Sequence, residues 1–231
     1  MLTEHRNEIL LEVAGLVGEL AHRRLDNDSV LRDLTSNAAK FVPGAQHTGI
    51  TIERRTVVET VGATHPYVAF LDDVQQKYKE GPCLSAGWGD HVVLVDDLTS
   101  ETRWPRYREA AMKLTPIRSI LSFRLFCDAK STGALNFYSE QPHVFDDESV
   151  EMGLVFATHT ALVWDMVRRT EEFESALASR DIIGQAKGML MERFNINAVQ
   201  AFDLLRRLSQ TSNTPVAEIA RQLVSTNQPS Q

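Results

Sequence analysis

Five residues between positions 180 and 191 have the types and the spacing to bind an anionic or flat partner. At 3.6 residues per turn they share one helix face: Arg180, Gly184, Lys187, Gly188 and Met191. A glycine inside a helix costs about 1 kcal/mol relative to alanine, so two on one face indicate that another group comes close to the backbone. That group is either a neighbouring helix or a bound partner beside the two basic side chains, and the spacing fits both.

Three short helices over residues 175–224 would position this face. Apolar residues recur at helical spacing in two stretches that follow it, 198–208 and 216–224. Asn197 with Gln200 three residues later resembles an N-terminal capping pair. We therefore predict a three-helix unit around one small core.

The run RDIIGQAKGMLMERFNINAVQAFDLLRRLSQTSNTPVAEIARQLV resembles the ANTAR domain, the RNA-binding module of bacterial transcription antiterminators, over its whole length. The residues that match the pattern are Ala186, Lys187, Gly188, Met191, Ala201, Phe202, Leu205, Arg206, Ser209, Asn213 and Ala220. Four of them fit a core role: Ala201, Phe202, Leu205 and Ala220. The resemblance implies that the polar residues and glycine of the pattern contact RNA.

The predicted RNA-binding residues are Arg180, Lys187, Gly188, Met191, Arg206, Arg207, Ser209 and Asn213. By resemblance, the partner is a stem-loop in an mRNA leader, where basic side chains meet phosphate or base edges and hydroxyl and amide groups meet unpaired bases. We expect no duplex DNA, because a helix-turn-helix protein carries polar recognition residues on its last helix. Here VAEIARQLV has one arginine and is mostly apolar on its inward face.

The charge of the chain is divided in a way that suits a terminal nucleic-acid module. The formal net charge is −7, but the six basic and four acidic residues from Ser175 onward give +2, which leaves −9 for the rest. An acidic body with a mildly basic tail fits a regulator that contacts nucleic acid only at its end. Because the patch is small, affinity requires base contacts or two modules acting together.

Helical and strand patterns alternate in the residues before this tail. Helical spacing covers 28–41, 68–80 and WPRYREAAMKL, and strands are predicted in GITIE, TVVETVG, HVVLVDD and the pair IRSILSFRLFCD and STGALNFYSE. This order predicts an α+β fold with an antiparallel sheet covered by helices. Residues 29–167 resemble a GAF domain in the pieces KEGPC, VLVDDL, RWPRY, IRSILSFRL, GALNFYSE and HVFDDES. The resemblance implies a sensory or dimerisation domain, with or without an unknown small-molecule ligand.

A single long helix is predicted from Asp147 to Phe194, because no proline occurs there and acidic residues at its start suit the helix dipole. It would be about 70 Å long, and its residues 146–178 would connect the two domains. Residues in alternating steps of four and three form a coiled-coil seam: Met152, Phe156, His159, Val163, Met166, Thr170, Phe173 and Leu177. We therefore predict a homodimer.

Two cysteines, Cys83 and Cys127, are too few for a disulfide framework or a zinc site. Cys83 is predicted to lie in a loop after a helix, as an inert residue, a reactive thiol or a chromophore attachment point. The enzymatic alternative is a GAF-type methionine sulfoxide reductase, which uses a nucleophilic and a resolving thiol. We predict no catalytic residues, metal ligands or cofactor, and paired acids such as Asp72-Asp73 are interpreted as caps or solvated turns.

The chain termini add little to this assignment. Residues 1–28 carry an apolar stripe at helical spacing, which predicts an N-terminal amphipathic helix, and residues 225–231 are a polar tail. No apolar run approaches the roughly 20 residues that span a bilayer, so we expect no membrane partner and a cytoplasmic protein. The favoured hypothesis is an RNA-binding antitermination regulator. The alternatives are the reductase and a ligand-sensing scaffold that does not bind RNA.

Overall fold

A computed structural model describes residue 15 and residues 27–55, 57–88, 91–128 and 131–226 of the 231-residue chain. The predicted amphipathic helix over 1–28 and the polar tail over 225–231 lie almost wholly outside the described residues. The chain divides into two compact units, residues 1–165 and residues 166–231.

The first unit is built on a five-stranded antiparallel sheet. In chain order its elements are α1 (Asn27–Phe41), β1 (His47–Arg54), β2 (Val57–Val61), α2 (Pro66–Tyr78), α3 (Pro82–Trp88), β3 (Val92–Val95), α4 (Pro105–Leu114), β4 (Ser119–Cys127), β5 (Ser131–Ser139) and the start of α5 (Asp147–Phe194). The strand order is β2-β1-β5-β4-β3, and every neighbouring pair is antiparallel. The predicted α+β class and the strand pair β4–β5 are thereby confirmed.

Alternation along β1 assigns helices to the two faces of this sheet. Thr48 points toward α1, because its hydroxyl donates to the Thr35 carbonyl oxygen at 2.6 Å. Gly49 points to the opposite face, where α2 lies so close that a side chain at this position would meet Val68 at 2.6 Å. Two successive residues of β1 thus face different helical layers, and the closer layer requires glycine.

The second unit contains the rest of α5, then α6 (Ala198–Ser212) and α7 (Val216–Thr226). Its buried core residues are Ala186, Leu190, Ala201, Leu205 and Ala220. The predicted capping box at the start of α6 is present: the Asn197 side chain accepts from the Gln200 backbone N–H at 3.0 Å, and the Gln200 side chain accepts from the Asn197 N–H at 3.0 Å. Capping oxygens satisfy N–H groups that the first turn leaves without a helical partner, so they fix where α6 begins.

The long helix α5 is present as predicted, whereas the loop predicted around Cys83 is wrong. Residues Pro82–Trp88 form the short helix α3, with proline at a first-turn position that it favours. Lys79, in the left-handed conformation (φ 55°), ends α2, and Gly81, at φ +144°, lets the chain turn so that α3 starts at Pro82, four residues after Tyr78. Cys83 is consequently buried and not in an exposed loop.

Among the described helices, α5 is the one long and apolar enough to cross a membrane by length and composition alone. This finding qualifies the sequence-based expectation that no segment approaches that limit. Core helices of water-soluble proteins pass the same test, and Phe156 and Val163 of α5 are buried in the first unit. Burial in the core accounts for Phe156 and Val163, whereas Leu154 and Leu162 are exposed, and 33% of the apolar window is buried.

Candidate nucleic-acid interface

The glycine-containing face of α5 is open in the structure. Arg180, Gly184, Gly188 and Met191 are exposed, and Lys187 is half-buried. A Cβ atom added at Gly184 or Gly188 would meet nothing within 4 Å among the described residues beyond the helix's own neighbouring backbone. The described residues therefore place no other helix of the same unit tightly against these glycines. Close packing within the unit does not explain them.

Lys187 and Arg206 project from the same side of the pair formed by α5 and α6. Each directly follows a core residue, Ala186 or Leu205, and so points about 100° round its helix from the inward direction. Because only residues 195–197 connect the two helices and both contribute to one core, we infer that they run in roughly opposite directions. In an antiparallel pair, equal rotations in the same sense bring both side chains to the same side.

The third helix lies on the other side of that pair. A groove of about 770 Å³ is lined by Met189 of α5, Leu208 of α6, and Ile219 and Leu223 of α7. Met189 and Leu208 each lie about 60° round their helices in the sense opposite to Lys187 and Arg206. The two basic residues do not line this groove, and outside it Arg206 is exposed and Lys187 half-buried.

Phe202 is a correction to the predicted core and a candidate that sequence analysis missed. It is 40% exposed and is not part of the buried cluster, although its neighbour Ala201 is fully buried. It lies about 60° round α6 from Leu205, in the same sense as Arg206. An exposed aromatic ring beside basic side chains offers a stacking surface to an unpaired base. In the sequence, its exposure was indicated only by its position on the predicted helix, between the core residue Leu205 and the basic residue Arg206.

Ion pairs within the protein engage the basic residues of this region only weakly. Arg206 forms an ion pair with Asp203 at 3.0 Å, but both are well exposed, and such surface pairs contribute at most about 1 kcal/mol. Within the described part of the chain, no ion pair involves Lys187 or Arg207. Arg207 lies about 200° round α6 from Leu205, so it points away from the core, about 100° from the direction of Arg206.

Ser209 and Asn213 have structural roles at the end of α6. Asn213 adopts the left-handed conformation (φ 51°) that ends the helix, and its N–H donates to the Ser209 carbonyl oxygen. The Ser209 hydroxyl donates to the Thr214 carbonyl oxygen at 2.5 Å. The hydroxyl proton of Ser209 is thus used within the protein, whereas the Asn213 residue is exposed.

The predicted seam residues of α5 fall into two groups. Met152, Phe156 and Val163 are buried in the first unit. His159 is half-buried, with a ring nitrogen 2.8 Å from the Val155 carbonyl oxygen. Four seam residues in the second unit are exposed: Met166, Thr170, Phe173 and Leu177. Because the buried residues pack within their own chain, the exposed group is the part that offers surface to a second chain.

A buried polar network lies between the sheet and α2 in the first unit. Asp72 accepts hydrogen bonds from the Thr51 hydroxyl at 2.7 Å, the Thr60 hydroxyl at 2.7 Å and the Gln75 side-chain amide at 3.0 Å. From the sequence, Asp72 was expected to be a helix cap or part of a solvated turn, yet it is 2% exposed. Burial raises the pKa of Asp72 to about 7, although the bonds from Thr60, Thr51 and Gln75 oppose the rise.

Replacing Asp72 by asparagine is expected to make melting temperature less dependent on pH. Since the folded-state pKa exceeds the ordinary value of 3.8, the stabilising contribution of the neutral acid is complete below about pH 4 and is lost as pH rises through 7. The melting temperature of Asp72→Asn minus that of the wild type should therefore be higher at pH 8 than at pH 5, by about 2 °C or more. A difference that is constant over this range would show that Asp72 does not titrate there.

The two cysteines are far apart and differ in environment. The Cys83 sulfur lies 3.7 Å from the Tyr138 hydroxyl, whereas Cys127 is exposed at the end of β4, opposite Thr132. Thr132 precedes Tyr138 by six positions on β5, which separates the two sites by about 20 Å at roughly 3.3 Å per residue. Burial, with Asp72 nearby, raises the pKa of the Cys83 thiol to about 12, so it stays protonated.

Metal-binding clusters are absent from the described residues: no three His, Cys, Asp or Glu side chains are placed to hold an ion. Four side-chain atoms of the first unit are buried without a hydrogen-bond partner among those residues: His47 Nε2, which lies 3.7 Å from Glu140 Oε1, and Tyr107 Oη, Ser122 Oγ and Asn136 Oδ1. Asn136 belongs to the Asp72 network, because its amide donates to the Thr51 hydroxyl at 2.8 Å.

The first unit has the fold of a GAF domain. The GAF domain of a phosphoenolpyruvate-protein phosphotransferase from Coxiella burnetii is similar at a TM-score of 0.51 and 14% identity, covering 71% of this chain and 96% of that chain. The corresponding Acinetobacter domain gives the same values. A GAF domain from A. aeolicus, described as being in an inactive state, is similar at 0.51 and 10% identity, covering 72% and 99%. At these identities the likeness establishes the fold alone.

Residues 171–224 match the family model of the ANTAR domain. No curated protein gives a significant match to the chain. The chain therefore carries an ANTAR domain behind a GAF-fold unit, which is a GAF-ANTAR architecture.

Proposed function

We propose that this protein is a cytoplasmic RNA-binding regulator of transcription antitermination. Its ANTAR domain would bind stem-loops in nascent mRNA leaders, and its GAF-fold unit would supply sensory or dimerisation input. The observation that carries the proposal is the open helix backbone at Gly188, next to the half-buried Lys187, together with the exposed Arg206 on α6.

The chemistry of this face suits a looped RNA better than duplex DNA. Lys187 and Arg206 supply charge for phosphate or for base edges, and Gly188 leaves room for a base or sugar to approach the helix. Phe202 adds a ring on which an unpaired base can stack, which a paired duplex base cannot do without leaving the helix. Met191 and Arg180 extend the surface along α5, while Asn213 and the acceptor side of Ser209 extend it along α6.

A homodimer would make this small surface effective. If two ANTAR domains are held together, binding of the second RNA loop becomes intramolecular, and avidity can exceed the affinity of one module by about 100-fold or more. The exposed residues Met166, Phe173 and Leu177 provide apolar surface for such a dimer. A leader RNA with two stem-loops is then the best partner.

The proposal is tested by crosslinking the protein to RNA in its native host and sequencing the attached transcripts. We expect enrichment of paired stem-loops in mRNA leaders ahead of terminators, and loss of that enrichment in a Lys187→Ala, Arg206→Ala double variant. Recovery of the same background RNA with both proteins would contradict the proposal and favour the scaffold that binds no RNA.

The GAF-fold unit offers one candidate place for a small-molecule input. The unpartnered Tyr107 hydroxyl, Ser122 hydroxyl and Asn136 carbonyl oxygen lie in its interior and could be satisfied by water or by a small polar ligand. The ligand class that these atoms would recognise is a small molecule with hydrogen-bonding groups.

A reductase that uses Cys83 is the second candidate function, and the geometry opposes it. The thiol is protonated and buried, and Cys127 is too distant to resolve an oxidised Cys83, since a disulfide requires Cα atoms about 4.4–6.8 Å apart. We expect no turnover of free methionine sulfoxide by the purified protein, and unchanged RNA affinity for Cys83→Ser. Turnover that Cys83→Ser abolishes would reverse this assignment.

A further inference from the structure

One stripe of α5 in the second unit lies at coiled-coil spacing from the start of that unit to the end of the helix, and five of its nine residues are large and apolar. Beginning at Met166, alternating steps of four and three residues reach Met166, Thr170, Phe173, Leu177, Arg180, Gly184, Lys187, Met191 and Phe194. All are exposed except the half-buried Lys187. The seam proposed for dimerisation and the face proposed for RNA are therefore consecutive parts of a single stripe.

We propose that the α5 helices of two copies pair in parallel along this whole stripe, so that pairing over residues 180–194 covers the surface that RNA would otherwise occupy. A second copy of the chain and the RNA would then compete for one helix face. That the covered surface is an RNA-binding face rests on the proposed function. The pairing itself rests on the spacing of the exposed stripe residues.

A second copy fits this face because a repeat of 3.5 residues keeps one stripe turned toward a partner helix, while a straight helix drifts away from it. Apolar residues stand at both ends of the stripe, with Phe173 64% exposed and Phe194 58% exposed. Between them Gly184 has free space around its backbone, which allows two helices to approach closely.

The charges beside the stripe favour the parallel arrangement. Arg169 directly precedes the stripe residue Thr170, and Glu174 directly follows the stripe residue Phe173. In a parallel pair, such a preceding position lies beside the position five residues later on the other helix. Arg169 would thus lie beside Glu174 of the second copy. Opposite charges at these flanking positions attract, and an antiparallel arrangement does not bring Arg169 and Glu174 of two copies together in this way.

Pairing over residues 180–194 is weak by its own chemistry, which is what lets RNA displace it. In a parallel pair Arg180 meets Arg180 and Lys187 meets Lys187 of the second copy, and these like charges repel. Gly184 contributes no side chain to fill the space between the helices. RNA phosphates neutralise the same cations, so binding RNA is favoured where the helices separate. The layers of Met166, Phe173 and Leu177 lack such charges and stay together.

The test uses single cysteines in a Cys127→Ser background, since Cys83 is buried. Leu177→Cys reports the apolar part of the stripe, Gly184→Cys the basic part, and Gln185→Cys is the control, because Gln185 is exposed but lies off the repeat. Under mild oxidation without RNA, Leu177→Cys and Gly184→Cys should form disulfide-linked dimers, at least about 10-fold faster than Gln185→Cys. Equal rates for Gly184→Cys and Gln185→Cys would overturn the pairing.

The second step measures binding to a pool of short RNA hairpins with randomised loops. Oxidised Gly184→Cys should bind at least about 10-fold more weakly than the same protein after reduction, and added RNA should slow its oxidation. For Leu177→Cys, oxidation should not change the affinity for RNA, and added RNA should not change the rate of oxidation. Equal binding by oxidised and reduced Gly184→Cys would overturn the competition. If none of the reduced proteins binds any hairpin, the proposed function is wrong, and so is the proposed competition with RNA. The oxidation rates would still show whether the α5 helices of two copies pair.

Discussion

Alanine at Lys187 or Arg206 is expected to lower affinity for the target stem-loop by about 10-fold or more, with almost no change in melting temperature. A basic side chain that contacts phosphate or a base edge contributes about 1–3 kcal/mol, and 1.4 kcal/mol corresponds to a factor of ten. Neither residue belongs to the buried cluster of the ANTAR domain, and the ion pair from Arg206 to Asp203 is exposed. Loss of the contact should therefore appear in binding and not in folding.

The matched control is Arg207→Ala, which removes the same charge from the next residue, pointing away from this face. Filter binding or fluorescence anisotropy with one stem-loop RNA would give affinities, and thermal unfolding would give stability. We expect Arg207→Ala to weaken binding less than threefold, as a loss of long-range attraction alone. A fall of several degrees in melting temperature for Lys187→Ala or Arg206→Ala would assign that residue to structure. Equal losses for Arg206 and Arg207 would indicate attraction without a defined contact face.

Aspartate at Phe173 or Leu177 is expected to dissociate the dimer and to lower affinity for a two-loop leader RNA by about 100-fold, because avidity is lost. These side chains are exposed in one chain, so the substitution costs the folded monomer little. In the dimer it places two carboxylates opposite each other in an apolar layer, where they repel and lose hydration. Affinity for a single stem-loop should not fall, and it should rise to the extent that pairing over residues 180–194 competes with RNA in the dimer.

Leu154→Asp is the matched control for this second prediction. Leu154 is also exposed on α5, but it lies two positions after Met152 and off the seven-residue repeat. Sedimentation or light scattering should show dimers for the wild type and Leu154→Asp, and monomers for Phe173→Asp. Dimers in all three proteins would place the contact between copies elsewhere in the chain.

Local patterns in the sequence were enough to predict most elements of the fold. The capping box at Asn197 and Gln200, the strand pair around residue 129 and the unbroken helix α5 depend on residues close together in the chain. The short helix α3 was missed because a proline after a glycine indicates a turn as readily as the first turn of a helix. Only the folded chain shows that α3 buries Cys83 against the sheet.

The candidate sites were harder to predict because burial depends on residues distant in sequence. A seven-residue repeat does not reveal whether Phe156 packs on its own sheet or on another chain, and in the structure it packs within its own unit. Phe202 has the composition of a core residue, yet α7 lies on the other side of the pair and leaves it exposed. Asp72 is buried by Thr51 and Thr60, which come from two different strands.

The most direct test of the account is to crosslink the purified protein to its stem-loop RNA with ultraviolet light and identify the modified peptides by mass spectrometry. We predict nucleotide adducts on α5 around Lys187 and on α6 around Phe202 and Arg206. The same side of both helices should be labelled, and Arg207 should not. Adducts confined to α7 or to the GAF-fold unit would contradict the central claim that this face of the ANTAR domain is where RNA binds.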